Sequence, residues 1–349
     1  MLVNWQVKYS NVDLPDEQPS NKVVKGERYW FFKYWDDQDM AVDVVDFTKL
    51  AGIHTIEKKT LKFYVSQAAR VLPRMSRYDL ILSHSAQSAL VLGLARSLVG
   101  AKRPPHVIID PGSFNGGRGR LAELLPIRMS LTSVAGVIGH SRSQIPFYRD
   151  TLGLEPSRYR IVHVGVDTAF YSPASDGPSD AYVLCLGYAK RDWNTLLAAW
   201  RGLETNARLL ILGREGMGEG MRGVSSMPYV TRAKLKEMVS KARFVVIPLP
   251  YHTYSFGQMS LLISQSLGKA VVATRVPGLL DYAVDGKTVL FVEPYDVGDM
   301  KEKISSLLDR PETARELGTD ARKLVVSKFS DRHMGLSLKE AIDELCENV

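Results

Sequence analysis

Short apolar runs alternate with longer amphipathic stretches along the first half of the chain. The runs Leu2–Val7, Ala41–Phe47, Asp79–Ser83, His106–Asp110, Val134–Gly139 and Ile161–Gly165 are rich in Val and Ile. They are continuous rather than alternating, as expected of strands covered on both faces. Stretches with a helical repeat separate them, among them Thr60–Met75 and Ser85–Val99. Strand, helix and strand in this rhythm predict a doubly wound parallel sheet. From Val166 to Asp180 the rhythm breaks into two prolines, a glycine and several Ser and Asp, the composition of a linker. It then restarts. Strands are predicted at Tyr182–Leu186, Arg208–Leu212, near Tyr229, Phe244–Ile247, Ala270–Ala273 and Val289–Val292. Helices are predicted at Thr195–Arg201, Ala233–Ala242, Met259–Leu267 and Val297–Asp309, and a last one over Asp331–Val349. The fold class is therefore α/β with two Rossmann-like halves. The expected domains are 1–172, 173–330 and a C-terminal helix, 331–349, that returns to the N-terminal domain in one reading. Ligands of such sheets bind beyond the carboxyl ends of the strands, here in a cleft between the halves.

Composition narrows the class. A length of 349 residues fits two domains. Hydrophobic residues at 45% and charged residues at 24% exclude a disordered or collagen-like chain. Two distant cysteines, Cys185 and Cys346, exclude a disulfide scaffold and a cysteine-rich zinc site, and fit a reducing compartment. The longest apolar stretch, Ala86–Ala101, is broken by Arg96 and falls short of the ~18 residues of a spanning helix. The first residues lack a basic segment followed by an apolar one, so no signal peptide is expected. The expected location is cytoplasmic, with peripheral attachment to a membrane as an option.

Charge changes the picture further. The net charge is +7, and residues 1–172 carry +6 of it, with 22 Lys/Arg against 16 Asp/Glu. One reading is surface solubility. The other is an anionic partner for the first half: phosphate, membrane surface or nucleic acid.

Several segments could carry chemistry. Gly213–Gly220 and Gly116–Gly119 are glycine-rich loops after strands, but neither has phosphate-loop spacing. Gly187-Tyr188-Ala189-Lys190-Arg191-Asp192 puts two cations at a strand's carboxyl end, where a diphosphate could be held; a solvated turn fits equally. Tyr254-Ser255-Phe256-Gly257-Gln258-Met259-Ser260 precedes a helix whose first amides suit a phosphate; a plain Ser255 cap needs no ligand. The seven histidines have no metal-ligand spacing, so no metal is expected. His84 ends a strand at the cleft edge and is either structural or a base. A serine-hydrolase elbow is absent from the sequence.

The second half resembles a known family. Ser264-Gln265-Ser266-Leu267-Gly268-Lys269-Ala270-Val271-Val272-Ala273-Thr274 is followed by Val276-Pro277-Gly278, Asp281-Tyr282, Asp285-Gly286-Lys287 and Val292-Glu293-Pro294. Leu307 to Pro311, Leu317-Gly318, Ala321-Arg322 and Phe329-Ser330 complete the series. This order resembles the C-terminal domain of GT-B glycosyltransferases of the group 1, family 4 type. Ile138 to Arg142 and Val164 to Thr168 are similar to that family's approach between domains, and Leu186-Gly187 with Asp192 to Leu196 to its second-domain entry. The resemblance spans about 133–330; residues 1–130 match in rhythm alone.

The resemblance implies two Rossmann-like domains and a nucleotide-diphosphate sugar, UDP- or GDP-linked, as co-substrate. It implies transfer to a glycan, lipid-linked or small-molecule acceptor, with retention and without metal or other cofactor. Lys190 and Arg191 would take the catalytic, diphosphate-stabilising role. Ser255, Phe256, Gly257, Gln258 and Ser260 would face donor sugar and phosphate. Gly187, Tyr229, Val230 and Ser264 would face the nucleotide. His84, Asp110, Gly112, Ser113 and Arg142 would lie on the acceptor side. Two family glutamates, eight residues apart, correspond here to Ser255 and Ile263, and the turn Asp110-Pro111-Gly112-Ser113 lacks a family histidine. Two alternatives therefore stand beside the enzyme: an impaired GT-B scaffold or partner subunit, and a DNA-modifying glucosyltransferase, the latter disfavoured because +6 over 172 residues is modest for nucleic acid. Basic residues at Lys58, Lys59, Lys62, Arg70, Arg74 and Arg77, and at Arg118, Arg120 and Arg128, turn the charge into a question about the acceptor. The pattern Lys62, Phe63, Val65, Ala69 suggests an amphipathic helix against anionic lipid.

Overall fold

The computed structural model describes residues 1–5, 34–35, 42–45, 51–57, 63–114, 121–173, 182–187 and 190–347. The chain divides into two compact units, Met1–His163 with Met334–Val349, and Val164–His333.

The first unit is built on a six-stranded parallel sheet. Its strands are β1 (Leu2–Trp5), β2 (Asp43–Val45), β3 (Ile81–His84), β4 (His106–Asp110), β5 (Gly136–Gly139) and β6 (Tyr159–Ile161). They lie in the order β2-β1-β3-β4-β5-β6. Every residue of β4 and β5 is buried, which explains their unbroken apolar runs. Helices α1 (Ala51–Ile56), α2 (Val65–Val71), α3 (Ala86–Leu98) and α4 (Leu121–Leu131) supply the crossovers. The expected helix Thr60–Met75 is α2 alone within the described residues, because Pro73 turns the chain into a tighter 3-10 segment, Leu72–Arg77. The expected strand Ile161–Gly165 begins earlier and ends at Ile161. Beyond it, Val164 donates its amide to the Tyr282 hydroxyl at 2.9 Å, so the chain has already joined the second unit.

That unit repeats the plan. Its strands are β7 (Tyr182–Leu186), β8 (Leu209–Leu212), β9 (Val224–Met227), β10 (Ala242–Ile247), β11 (Val271–Thr274) and β12 (Leu290–Val292). They run parallel in the order β12-β11-β10-β7-β8-β9. The helices are α5 (Trp193–Arg201), α6 (Arg232–Lys241), α7 (Gln258–Ser266), α8 (Val297–Asp309) and α9 (Pro311–Lys328). Helix α9 was not among the helices expected from periodicity. Its signal was Pro311, which starts a helix without costing a hydrogen bond.

The division falls at 163/164 rather than 172/173. Residues from Val164 onward pack with the second unit: Val166 pairs with Ser330, and Tyr171 is buried in that core. The expected linker residues 174–180 lie outside the described set, as do Gly116–Gly119 and Lys58, Lys59 and Lys62.

The last helix, α10 (Asp331–Cys346), returns to the first unit. Met334, Leu338, Ala341, Ile342 and Leu345 pack with Leu82, Val107, Ile109 and Ile138 of the first sheet. The Trp35 indole donates to the Gly335 carbonyl at 2.7 Å. Leu338 is fully buried, so Leu338→Ala is expected to cost about 2–5 kcal/mol in the first unit. Chemical denaturation with a wild-type midpoint would contradict that packing. No helix among the described residues is long and apolar enough to cross a membrane.

Candidate functional site

In the second sheet the chain starts at the centre, in β7, and winds outward to β9; it then returns to β10 and winds the other way. The switch lies between β7 and β10, and the crevice beyond their carboxyl ends is where such sheets take ligands. Two segments meet there. One follows β7 and holds Gly187, Lys190, Arg191 and Asp192. The other follows β10 and runs from Pro248 to Gly257. The Asp192 amide donates to the Pro248 carbonyl at 3.0 Å and ties them together. Asp192 also caps α5, its carboxylate accepting from the Thr195 amide at 3.2 Å.

The first segment aims two cations. Arg191 folds back over Gly187 and donates Nε to the Leu186 carbonyl and Nη2 to the Ser260 hydroxyl, both at 3.0 Å. Gly187 has φ +126°, and any side chain there would run into that guanidinium. Gly187→Ala is therefore expected to dislodge Arg191 and destabilise the second unit by about 1–3 kcal/mol. Chemical denaturation with a wild-type midpoint would contradict this. Lys190 is exposed and holds a left-handed backbone, φ +49°. Its Nζ donates to the Tyr254 hydroxyl at 2.7 Å and lies 4.6 Å from the Tyr254 ring centre and 5.2 Å from that of Phe256. Arg191 lies 5.6 Å from the same Phe256 ring. Phe256 thus serves both cations as a cation–π partner.

The second segment ends in a helix start. Gly257 heads α7 with φ +91°, and no side chain caps the first turn. Amides there have no earlier turn to bond to, so they suit an anion. Two expected ligand contacts are otherwise employed, because both side chains are buried. Gln258 donates to the Gly278 carbonyl at 2.7 Å and holds the loop; Ser264 donates to the Ser260 carbonyl at 2.8 Å along α7. Ser255 is buried too, and Ile263 sits in the core with Leu261 and Leu262. Tyr229 is exposed beyond β9, and Val230 packs on the core. Strand β9 is two strands from β7, about 10 Å at ordinary strand spacing, so these two lie apart from the cations.

His252 carries no role in the sequence analysis, and Tyr254 enters it only as the first residue of the loop before α7. The His252 ring is buried, stacks at 4.8 Å on Tyr254 and meets Phe256 edge-on at 5.6 Å. Its Nδ1 donates to the Pro250 carbonyl at 2.7 Å. Burial lowers its pKa; the Pro250 and Phe256 carbonyls oppose this, and Lys190 and Arg191 add to it. A neutral, non-competing ring beside two cations is the result at pH 7. The alternation His252, Tyr254, Phe256 was the available signal.

In the first unit, four of the expected acceptor-side residues, His84, Asp110, Gly112 and Ser113, lie at the ends of β3 and β4, and Arg142 lies beyond β5. Asp110 is fully buried and saturated. Its Oδ1 accepts from the Gly112, Ser113 and Phe114 amides and from the Ser113 hydroxyl, at 2.6–3.3 Å. Its Oδ2 accepts from Gln144 at 3.2 Å and Tyr148 at 2.8 Å. Burial raises its pKa, with the Ser113 and Tyr148 hydrogen bonds pulling it back. Asp110 therefore anchors the turn rather than facing a ligand. Gly112 makes that turn with φ +93°. The Ser113 hydroxyl accepts from the Ala86 amide at 2.8 Å and caps α3 from a neighbouring loop. Burial, with His140 nearby, lowers the pKa of His84 to about 3, so it is a neutral ring at pH 7. Arg142 is exposed on the short turn Arg142–Gln144, which a Ser141 capping box starts.

Two parallel-sheet Rossmann-like units, the second with a cationic switch-point crevice, are the parts of a GT-B glycosyltransferase fold. Comparison with known proteins agrees. HepE of Anabaena, solved in complex with UDP, superposes with a TM-score of 0.69 at 16% identity, covering 98% of this chain and 99% of that one. Sucrose-phosphate synthase of Thermosynechococcus elongatus gives a TM-score of 0.67 at 19% identity, covering 82% and 78%. At the sequence level, residues 181–310 match the family model of glycosyl transferases group 1. Alpha-maltose-1-phosphate synthase of Mycolicibacterium smegmatis is 26% identical over 221 residues, 52% of this chain and 55% of its own length. D-inositol 3-phosphate glycosyltransferase of Acidothermus cellulolyticus is 30% identical over 193 residues, 46% and 42%. The chain thus resembles the group 1, family 4-type glycosyltransferases, and spans about half the length of these curated relatives.

Proposed function

We propose that the protein is a glycosyltransferase that moves a sugar from a nucleoside-diphosphate sugar to an acceptor. One observation carries the reading: Lys190, Arg191 and the uncapped start of α7 converge on the switch point between β7 and β10. Glycosyl transfer breaks the bond between the anomeric carbon and the diphosphate oxygen, and negative charge grows on that diphosphate. Fixed cations and amides aimed at developing charge are worth most in such a step. Arg191 is held in place by Leu186 and Ser260, so it needs no rearrangement when the charge appears. Lys190 is braced by Tyr254. The UDP and UDP-glucose complexes of HepE support a nucleotide-sugar donor. Retention of configuration, independence of metal and a UDP or GDP donor belong to the same proposal, as does an anionic, lipid-phosphate-linked glycan as acceptor, suggested by the basic first half. Donor hydrolysis and transfer that persist in EDTA, with an axial product bond from an axial donor, are the expected results. An inverted product or loss of turnover in EDTA would overturn those parts.

A second reading has its own observation. Ile263 stands, buried and apolar, where the resemblance expects a ribose-binding carboxylate. A scaffold that holds diphosphate without turnover fits that. Turnover abolished by Lys190→Ala would exclude it.

A further inference from the structure

The crevice occupies the carboxyl end of the second sheet, and the opposite end of that sheet holds a cavity of its own. Its volume is about 40 Å³, and Arg243, Lys269 and Arg315 line it together with Phe244, Leu307 and Ala314. Arg243 stands at the start of β10, Lys269 precedes β11, Leu307 is near the end of α8, and Ala314 and Arg315 lie in the first turns of α9. Strand β10 runs the length of the sheet from Ala242 to Ile247. Roughly 17–20 Å therefore separate the cavity from the crevice segment that follows that strand. Packing fixes the walls. Gly318 of α9 meets the turn before β11, where any side chain would run into the Gly268 carbonyl. Phe244, Ala270, Leu307, Ala314 and Leu317 share one buried core.

The three cations sit at different depths. Lys269 is only 7% exposed, and its Nζ donates to the neutral Ala242 carbonyl at 2.7 Å, which anchors the ammonium at the cavity wall. Arg243 is half-buried and donates Nη2 to the Leu308 carbonyl at 3.5 Å. Arg315 is exposed. Neither arginine makes an ion pair among the described residues. The acids of the neighbourhood do not line the cavity. Asp309 accepts from the Ser305 hydroxyl at 3.2 Å along α8, and Glu312 and Glu316 are exposed on α9. Three like charges around one small space repel, and an anion between them removes that cost.

We infer that this cavity is an anion site for phosphate, free or as the end of a phosphate monoester, separate from the crevice. Its size suits that group. About 40 Å³ is the space of roughly three waters at 10–15 Å³ each, enough for one tetrahedral oxyanion and too little for a nucleotide. Its donors suit it as well: a guanidinium offers a planar fork to phosphate oxygens and an ammonium a point charge. Lys269 forms the inner wall, and Arg243 and Arg315 close on the anion from the solvent side. A phosphate held there bridges α9 to β10 and β11, so it stabilises the second unit by mass action. The inference stands apart from the transferase reading: this site can fill or stay empty whatever the crevice binds.

The test is calorimetric titration of the full chain with sodium phosphate, chloride holding the ionic strength constant. The crevice cations also suit phosphate, so the Lys190→Ala, Arg191→Ala variant is titrated beside the wild type. Saturable binding is expected in both, with an unfolding midpoint that rises with phosphate concentration. Arg315→Ala is expected to weaken it by about tenfold, and Arg243→Ala with Arg315→Ala by about 100-fold, one charge-assisted hydrogen bond for each arginine. Thermal unfolding in chloride reports that the variants fold. Arg315 is exposed, so Arg315→Ala tests the site even where the double variant is destabilised. Glycerol 3-phosphate separates the sources: binding tighter than that of the free ion assigns the site to a phosphate monoester, weaker binding to inorganic phosphate, and both support the site. No saturable binding at millimolar phosphate, or binding that both arginine variants keep in full, would overturn the proposal. So would binding that disappears with Lys190 and Arg191, which would place the anion in the crevice.

Discussion

The Lys190→Ala, Arg191→Ala double variant is expected to bind UDP on the order of 100-fold more weakly than the wild-type protein. Each cation stands to make at least one charge-assisted hydrogen bond to the diphosphate, worth about 1.5–3 kcal/mol. The exposed Lys190 belongs at the low end of that range. Arg191, half-buried, belongs there too because it shares its guanidinium with Leu186 and Ser260, so the two together come to about 3 kcal/mol, roughly 100-fold. Arg191→Lys alone is expected to recover only part of the loss, because an ammonium cannot hold Leu186, Ser260 and a phosphate with one fixed fork. Calorimetric titration of the variants against wild type reads the effect. Equal affinity for UDP and uridine in the wild type would remove the diphosphate from the argument altogether.

A second large effect is acid sensitivity of the first unit. Burial holds His84 and His106 at pKa values of about 3 and His140 at about 4, far below the 6.5 of the unfolded chain. His140 adds to the shift at His84 and Arg96 to that at His106. Below about pH 6.5 the unfolded chain binds protons at these three positions that the folded unit refuses. Stability therefore rises with pH in this window and is lost as pH falls from about 6.5 towards 4. Asp110 acts the other way. Its raised pKa lets the folded unit take one proton before the unfolded chain does, so it returns stability as pH falls. The three histidines set the sign, each contributing up to about 1.4 kcal/mol per pH unit while the unfolded chain is charged and the folded ring is not, and Asp110 offsets part of it. Thermal unfolding followed at pH 7, 6, 5 and 4.5 is expected to show a midpoint dropping by tens of degrees. A midpoint constant from pH 7 to 5 would mean that the three rings are solvated. His106→Gln, which keeps a partner for Ser83 at a site where Ser83 and His106 are 2.8 Å apart, is expected to flatten the slope.

Much of this architecture was legible because continuous Val- and Ile-rich runs mark buried parallel strands, and β4 and β7 fall where those runs predicted. The misplaced ends share a cause. Strand β6 ends at Ile161, and three residues on the Val164 amide goes to the Tyr282 hydroxyl, a contact 118 residues away in sequence. No local pattern encodes that. The division between units moved for the same reason. In the crevice, Lys190 and Arg191 were legible as paired cations at a strand end, and Gly257 as a helix start. The work of Gln258 was not: an amide in a polar loop reads as a ligand contact until the fold supplies the Gly278 carbonyl. Asp110 misled in the same way. A carboxylate at a strand end suggests chemistry, yet Gln144 and Tyr148 arrive from a later segment and take up its second oxygen. His252 went unremarked because its importance lies in stacking on Tyr254 and Phe256, which spacing alone does not announce.

The central claim is that the switch-point crevice of the second unit holds a nucleoside diphosphate for sugar transfer. Isothermal titration of the wild-type chain with UDP and GDP, each against its nucleoside, tests it most directly. The account predicts saturable binding of at least one diphosphate, tighter than its nucleoside by about 100-fold and lost in the Lys190→Ala, Arg191→Ala variant. No binding of either diphosphate at millimolar concentration, or binding that the double variant keeps in full, would contradict it.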